Sequence, residues 1–318
     1  MEPDFSQAKA DAAGRLLLVG ATHGNERNAP WLLEQWRQRP ELLANAGLAL
    51  EMVIGNPAAL AANRRYIDRD LNRSFAPALL ANPDRRELEV LRARELLAQV
   101  GPSGDRACPV VLDLHSTTSG MGNSLVIYGR RPADLALAAA IQARIGLPIY
   151  LHEADAAQTG FLVEQWPCGL VIEVGPVPQG VVQAAICRQT QLAVEAACAS
   201  LAAAASGRLR LPAGLTVHRH SGSLDLPRDG QDLAVAAIHP RLQQRDWRPL
   251  QSGEPLFWYA DGHADQFKPA GAATHSWPVF INEAAYGEKH IALSLTQRER
   301  WRCEPEWAEA LQRCLQQS

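Results

Sequence analysis

The chain has 318 residues, 47% of them hydrophobic and 20% charged, with a formal net charge of −3. That length and composition describe a soluble folded chain with a full core and room for two domains, and exclude a disordered or fibrous one. The near-balanced charge offers no basic patch of the kind nucleic-acid binding needs, and the longest alanine-rich run, Leu192 to Ala205, is too short to span a bilayer.

Cys108, Cys168, Cys187, Cys198, Cys303 and Cys314 follow no C-x-x-C spacing, so they read as reduced thiols rather than a disulfide frame or a zinc ribbon. Met1 to Gly14 is polar and mixed in charge, without the basic start and apolar middle of a signal peptide. These features predict a cytoplasmic protein.

Along the chain, Leu16 to Val19 is a continuous apolar run, as expected for a strand covered on both faces. It runs into Gly20-Ala21-Thr22-His23-Gly24-Asn25-Glu26, where two glycines permit backbone conformations that bulkier residues resist. His23 and Glu26 lie just past the strand end. An imidazole and a carboxylate from one turn are two of the three protein ligands a catalytic zinc site needs. A bare His-x-x-Glu is a weak signal, because most such pairs sit on exposed helix faces; the strand and glycine turn in front of this one strengthen it.

Ala29 to Ala46 has helical spacing, interrupted at Pro40, and Leu48 to Ile54 reads as a strand closed by Gly55-Asn56-Pro57. Asn63 to Phe75 is dense in charge and without period, hence a loop. Such a loop is either simply solvated or uses its charge. Arg65 and Arg73 can grip carboxylate or oxyanion oxygens, and Asn72 adds a directional amide. Arg85 to Val100 is an amphipathic helix. Val110 to Leu114 is a second apolar strand, and it ends in His115. Ligands of parallel α/β sheets gather outside the carboxyl ends of strands. His23, Glu26 and His115 then form a two-histidine, one-carboxylate set that suits zinc with one position open.

Asn123 to Tyr128 predicts a strand, Pro132 to Ile145 a helix, and Gly169 to Pro176 a buried strand containing Glu173. A carboxylate there is costly unless paired or used. It either points outward at an edge or serves as a general base near the metal. Gln179 to Ala205 predicts a long helix stopped by Gly207. Beyond residue 207, short apolar runs rich in Pro and Gly predict a smaller β-rich domain. Its His218, His220, His239 and His263 have no ligand spacing and read as ordinary polar residues. In Trp277 to Gly287, Tyr286 either packs in the core or reaches over the cleft to donate its hydroxyl to a substrate.

Five blocks together carry a resemblance. They are Gly-Ala-Thr-His-Gly-Asn-Glu at 20–26, Arg-Tyr-Ile-Asp-Arg-Asp-Leu-Asn-Arg-Ser-Phe at 65–75, Asp-Leu-His-Ser-Thr-Thr at 113–118, Ile-Glu-Val-Gly-Pro at 172–176 with Pro-Gln-Gly at 178–180, and Pro-Val-Phe-Ile-Asn-Glu-Ala-Ala-Tyr at 278–286. In these blocks the chain resembles the aspartoacylase family, a branch of the zinc carboxypeptidase-like amidohydrolases that includes the aminoacylase-3 type.

The resemblance implies an α/β fold: a three-layer mixed sheet with helices on both faces, as a catalytic domain over 1–207, and a β-rich domain over 208–318 at the active-site entrance. It implies one zinc ion per subunit at His23, Glu26 and His115, and a homo-oligomer. Arg65 would polarise the scissile carbonyl, Asn72 and Arg73 would hold a substrate carboxylate, Glu173 would be the base and Tyr286 would contact the bound amino acid. The implied reaction is hydrolysis of a small N-acyl amino acid, foremost N-acetyl-L-aspartate to acetate and L-aspartate. Alternatives are a deacylase of aromatic or mercapturate type, a succinylglutamate desuccinylase-like enzyme or, outside enzymes, a zinc-retaining binding module.

One departure bears on the substrate. Animal members carry an additional arginine, before the catalytic strand, that helps to bind the second carboxylate of the aspartyl group. The corresponding segment Gly160 to Gly169 has no arginine, and Phe161 there fits a less polar pocket. Arg27, Arg64 and Arg69 are the cations available to substitute.

Overall fold

A computed structural model describes residues 14–153, 159–271 and 274–316; the stretch up to residue 13, whose polarity was read above, lies outside them. The elements run β1 (Arg15–Gly20), α1 (Asn28–Gln38), β2 (Ala49–Ile54), α2 (Pro57–Ala62), α3 (Pro77–Ala81), α4 (Leu88–Val100), β3 (Val110–Ser116), β4 (Gly122–Tyr128), α5 (Pro132–Ile145), β5 (Ile149–His152), β6 (Cys168–Gly175) and α6 (Ala184–Ala205). There follow β7 (Gly214–Asp225), β8 (Ala236–Ile238), β9 (Leu250–Gln251), β10 (Pro255–Tyr259), β11 (Ala264–Gln266), β12 (His275–Val279), β13 (Ile291–Arg302) and α7 (Pro305–Gln316).

A ten-stranded sheet has the order β2-β1-β3-β6-β4-β5-β7-β13-β12-β9, and a three-stranded sheet the order β11-β10-β8. β2, β1, β3 and β6 are mutually parallel, so their carboxyl ends share one edge. β4 turns the direction by pairing antiparallel with β6. The large sheet continues past residue 207, because β7 pairs parallel with β5 and antiparallel with β13.

Alternation along each strand sorts the side chains onto two faces. Leu16, Leu18, Val110, Leu112, Leu114, Leu170, Ile172 and Val174 face a layer made by α1, α5, α6 and α7. Leu17, Val19, Val111 and Val171 face the other way, onto α4, Leu71, Phe75, Leu162 and Trp166. Helices therefore cover both faces, as expected. His115 and Glu173 carry the odd numbers of the second set, and they are register partners on neighbouring strands. The period of two thus delivers both to the face on which the charged loop lies.

Three helix boundaries differ from expectation. α4 starts at Leu88 rather than Arg85, because Glu87 before it is extended at φ −57°, ψ 140°. α1 stops at Gln38, and only Pro40–Leu42 beyond it forms a short 3-10 turn. Arg39, the residue before Pro40, is driven out of the helical region to φ −139°, ψ 78°. α6 starts at Ala184, not Gln179, because the preceding loop is bonded elsewhere: Gly180 N–H donates to Asn25 O at 2.7 Å and Gln183 N–H to Asn28 Oδ1 at 2.8 Å. Among the described residues no helix is long and apolar enough to cross a membrane.

The turn after β1 is packed closely on α2. A Cβ on Gly24 would lie 2.0 Å from the backbone carbon of Ala59, and Gly24 N–H donates to Arg65 O at 3.2 Å. Gly24→Ala therefore forces two backbones apart and should cost roughly 1–3 kcal/mol, as overpacking does. Urea denaturation measures this, and unchanged stability would contradict the close approach.

Candidate metal centre and active site

The site is assembled at the shared carboxyl edge of β1, β3 and β6. The turn beyond β1 supplies His23 and Glu26, β3 supplies His115, and one ligand atom from each lies within 4.8 Å of the others. His23 Nδ1 is 2.7 Å from Glu26 Oε1, and His115 Nδ1 is 3.1 Å from Glu26 Oε2. The Nε2 atom of each ring faces a different carboxylate: Asp70 Oδ1 at 3.0 Å for His23, and Asp113 Oδ2 at 2.7 Å for His115. Asp113 is fully buried and also accepts from Thr22 Oγ1 at 2.6 Å.

This donor set fits a divalent cation. With each Nε2–H donating to its aspartate, both Nδ1 lone pairs and the Glu26 carboxylate point at one another, an arrangement of acceptors that only a cation or added protons can satisfy. The carboxylate–histidine pairing is the usual support of a metal-bound imidazole. Burial alone would raise the Glu26 pKa, but His115 and His23 beside it hold it well below the ordinary carboxylate range. Burial opposes charge on His115, yet Asp113 and Glu26 hold its pKa well above 6.5.

Loop 63–75 lies across this centre. Arg65 Nη2 donates to Asp70 Oδ2 at 3.1 Å, and its Nη1 is 3.7 Å from Glu26. Asp70 therefore holds His23 with one oxygen and Arg65 with the other. Its pKa is well below normal: burial would raise it, but His23, Arg65 and Arg73 outweigh that. Asn72 spends its Oδ1 on Leu162 N–H at 2.9 Å, which leaves its amide nitrogen for the cavity. Arg73 lies with Cζ 3.9 Å from the centroid of Phe161.

Glu173 faces the cavity beside His115. Burial pushes its pKa well above 4.5, and Glu26 and Glu283 push further in that direction, against His115. A carboxylate raised in this way is the better proton acceptor. Tyr286 sits on a 3-10 turn over Ala284–Lys289, with its hydroxyl 3.4 Å from Ser294 Oγ and its pKa pushed up to about 12 by burial.

His23, Glu26, Arg65, Asn72, Arg73, His115, Glu173 and Tyr286 all line one cavity. The far wall is Val126, Tyr128, Tyr150, His152, Phe161, Val171 and Phe280, with Phe161 stacked on Tyr128 at 3.7 Å between centroids. None of Arg27, Arg64 and Arg69 lines it; Arg27 donates instead to Leu60 O at 2.7 Å. His218, His220, His239 and His263 are not in its lining either. His218 packs on Trp247, where burial pulls its pKa down to about 4, and His220 Nδ1 lies 2.9 Å from Oη of the wall residue Tyr150.

Three acids of the site have no role legible from the sequence, Asp70, Asp113 and Glu283, and neither have the wall residues Tyr128, Tyr150, His152 and Phe280. Glu283 accepts from Thr117 Oγ1, from Thr118 N–H at 2.8 Å and from Ser119 N–H at 3.2 Å, and so ties the loop bearing Tyr286 to the loop after His115. Asp113 stands two residues before His115, the spacing that places both on one strand face, and this was the one available signal. Asp70 and Glu283 meet their partners across 47 and 165 residues, and nothing local marks them.

Comparison with known proteins gives the same relationship by three routes. The succinylglutamate desuccinylase/aspartoacylase catalytic domain matches residues 12–201, and the AstE/AspA barrel-sandwich hybrid domain matches residues 213–298. A probable aspartoacylase of Parasynechococcus marenigrum (strain WH8102) is 59% identical over 300 residues, covering 94% of this chain and 98% of its own. The crystal structure of murine aminoacylase 3 superposes with a TM-score of 0.82 at 35% identity, covering 93% of this chain and 98% of that one. The succinylglutamate desuccinylase of Chromobacterium violaceum, with a TM-score of 0.63 at 19% identity over 94% of this chain and 88% of that one, shares the fold.

The aspartates behind the imidazoles make a prediction about metal affinity. Asp113→Asn keeps the shape but leaves His115 without its charged support, which typically costs 10–100-fold in metal affinity. Calorimetric titration of the metal-free variant with zinc should show that loss; wild-type affinity would remove Asp113 from the centre.

Proposed function

The chain belongs to the succinylglutamate desuccinylase/aspartoacylase family of hydrolases acting on acyl amino acids, and on that premise we propose that it is a zinc-dependent deacylase of N-acyl amino acids. The observation that carries the reading is the convergence of His23, Glu26 and His115 with Arg65 and Glu173 in one cavity. A zinc ion held by the three ligands would supply Lewis acidity, which acidifies water and polarises a carbonyl.

The chain's own residues do the rest. Glu173, raised in pKa, takes a proton from the attacking water and delivers it to the nitrogen of the leaving amino acid. Arg65, fixed by Asp70, faces the oxygen on which charge develops. Arg73 and the Asn72 amide hold the α-carboxylate, and Tyr286 donates its hydroxyl to the same end of the substrate. A zinc-retaining binding module would have no use for the base. The division into residues 1–207 and 208–318 is supported by the two separate family matches. A cytoplasmic setting is supported by six free cysteines.

The side chain is a finer question. N-acetyl-L-aspartate is supported by the naming of the 59% identical relative. The cavity supports a different side chain better. Among its described lining residues, Arg65 and Arg73 are the only Arg or Lys side chains, against three carboxylates, Glu26, Glu173 and Glu283. Arg65 is already engaged by Asp70, and Arg73 is needed for the α-carboxylate. A second substrate carboxylate would be buried among aromatic rings and like charges, where an unpaired group costs about 1–3 kcal/mol or more. The wall of Tyr128, Phe161, Tyr150 and Phe280 instead matches an uncharged aromatic side chain.

Turnover across N-acetyl-L-aspartate, N-succinyl-L-glutamate and N-acetyl-L-tyrosine, on chelated and zinc-restored enzyme, tests the reading. Chelation should abolish hydrolysis, zinc should restore it, and the aromatic substrate should lead in kcat/KM by about tenfold or more, the equivalent of that cost. A lead for N-acetyl-L-aspartate would return the side-chain assignment to aspartate.

Arg65→Ala should lower kcat by about 10²–10³, the loss typical of one oxyanion donor, and Glu173→Gln should abolish most hydrolysis, both with zinc content unchanged. Normal turnover in either variant would show that its role is misassigned.

A further inference from the structure

Loop 63–75 supplies Arg65, Asp70, Asn72 and Arg73, yet beyond a 3-10 turn at Leu71–Arg73 it has no regular structure of its own. What holds its backbone is a side chain from elsewhere. Glu89, the second residue of α4, is fully buried. Its Oε1 accepts from Ile67 N–H at 2.7 Å, and its Oε2 accepts from Asp68 N–H and Arg69 N–H, both at 3.1 Å. Three successive amides turned on one anion form a nest of the kind that usually binds phosphate or another oxyanion. Here the occupant belongs to the chain itself. In return, Leu88 N–H donates to Asp68 Oδ2 at 2.8 Å, which caps the start of α4.

The same carboxylate reaches the other half of the site. Asn56 Nδ2 donates to Glu89 Oε1 at 2.9 Å, and Asn56 N–H donates to Ala21 O at 2.8 Å, in the turn that presents His23. A single buried charge is thus bonded to the loop of Arg65 and, through Asn56, to the turn of His23. Arg65 lies two residues before the amide nest and Asp70 directly after it.

We propose that Glu89 is a positioning residue: it touches neither substrate nor metal, and it sets the placement of Arg65 and Asp70 by folding loop 63–75 around its carboxylate. The proposal rests on the reading of Arg65 as the oxyanion group. Glu89→Gln keeps size and shape but turns an NH₂ toward amide donors, so the nest loses its anion and the loop shifts. A misplacement of about 1 Å commonly costs on the order of 10²-fold in rate.

The test is a double-variant cycle on the zinc-loaded, full-length enzyme, read as kcat/KM for an N-acyl amino acid hydrolysed by the wild type. Glu89→Gln should lose on the order of 10²-fold, with zinc content unchanged. In an Arg65→Ala background the same substitution should cost at least about tenfold less, only the part acting through Asp70 remaining, since residues acting through one another are not additive. A purely structural role would lower both backgrounds equally, so additive losses overturn the proposal, as does wild-type kcat/KM in Glu89→Gln. If Arg65→Ala itself is fully active, the reading of Arg65 fails and the proposal falls with it. Hydrogen exchange on the wild type tests the nest without a variant: the amides of residues 67–69 should exchange slowly for a loop, and exchange at the rate of an open loop overturns the proposal.

Discussion

The arrangement depends on a buried line of carboxylates that alternate with cationic and imidazole groups. It runs from Asp113 through His115, Glu26 and His23 to Asp70 and ends on Arg65, with contacts of 2.7, 3.1, 2.7, 3.0 and 3.1 Å. Three carboxylates meet one guanidinium. Charges held away from water are costly unless balanced, and the two that remain are what a divalent cation neutralises. The line also explains why the ligands come from different parts of the chain. Each imidazole has a carboxylate on both sides, and one turn cannot supply three such groups at the right distances. Parallel strands that end at a common edge can.

That common edge was legible in the residues. Two apolar runs each ending in a histidine, and a third holding one glutamate, imply strands whose ends meet, and β1, β3 and β6 are indeed neighbours. Strand alternation then fixes which of their side chains share a face. Among the boundaries that differ, that of α6 is decided by tertiary bonds: it begins five residues late because Asn25 and Asn28 engage the loop before it. Asp70, Glu283 and Glu89 were invisible for a related reason. Each sits in a sequence where a solvated acid would look the same, and only the fold brings it to its partners.

The C-terminal part is joined to the metal strand by acids as well. Glu283 accepts from the loop after His115, and Asp246 Oδ1 accepts from Ile281 N–H at 3.1 Å, two residues before Glu283. Trp247 Nε1 donates to Met121 O at 2.8 Å, next to the same loop. The segment that carries Tyr286, between β12 and β13 of the large sheet, is therefore tied to the loop after His115 as well as to β13.

Phe161 shows how one side chain shapes a pocket. The family resemblance puts an arginine in this segment in animal members, where it meets a second carboxylate. Here the ring stacks on Tyr128 and lies against Arg73, so the neighbouring guanidinium is drawn onto an aromatic face. The contact makes Arg73 part of the wall of the cavity. The geometry of His23, Glu26 and His115 is set elsewhere, by the strand edge and by Asp70 and Asp113. The His-Glu-His cluster and the aromatic wall are thus built on separable parts of the fold: the first on the parallel strands and their buried acids, the second on β4, β5 and the segments of Phe161 and Phe280.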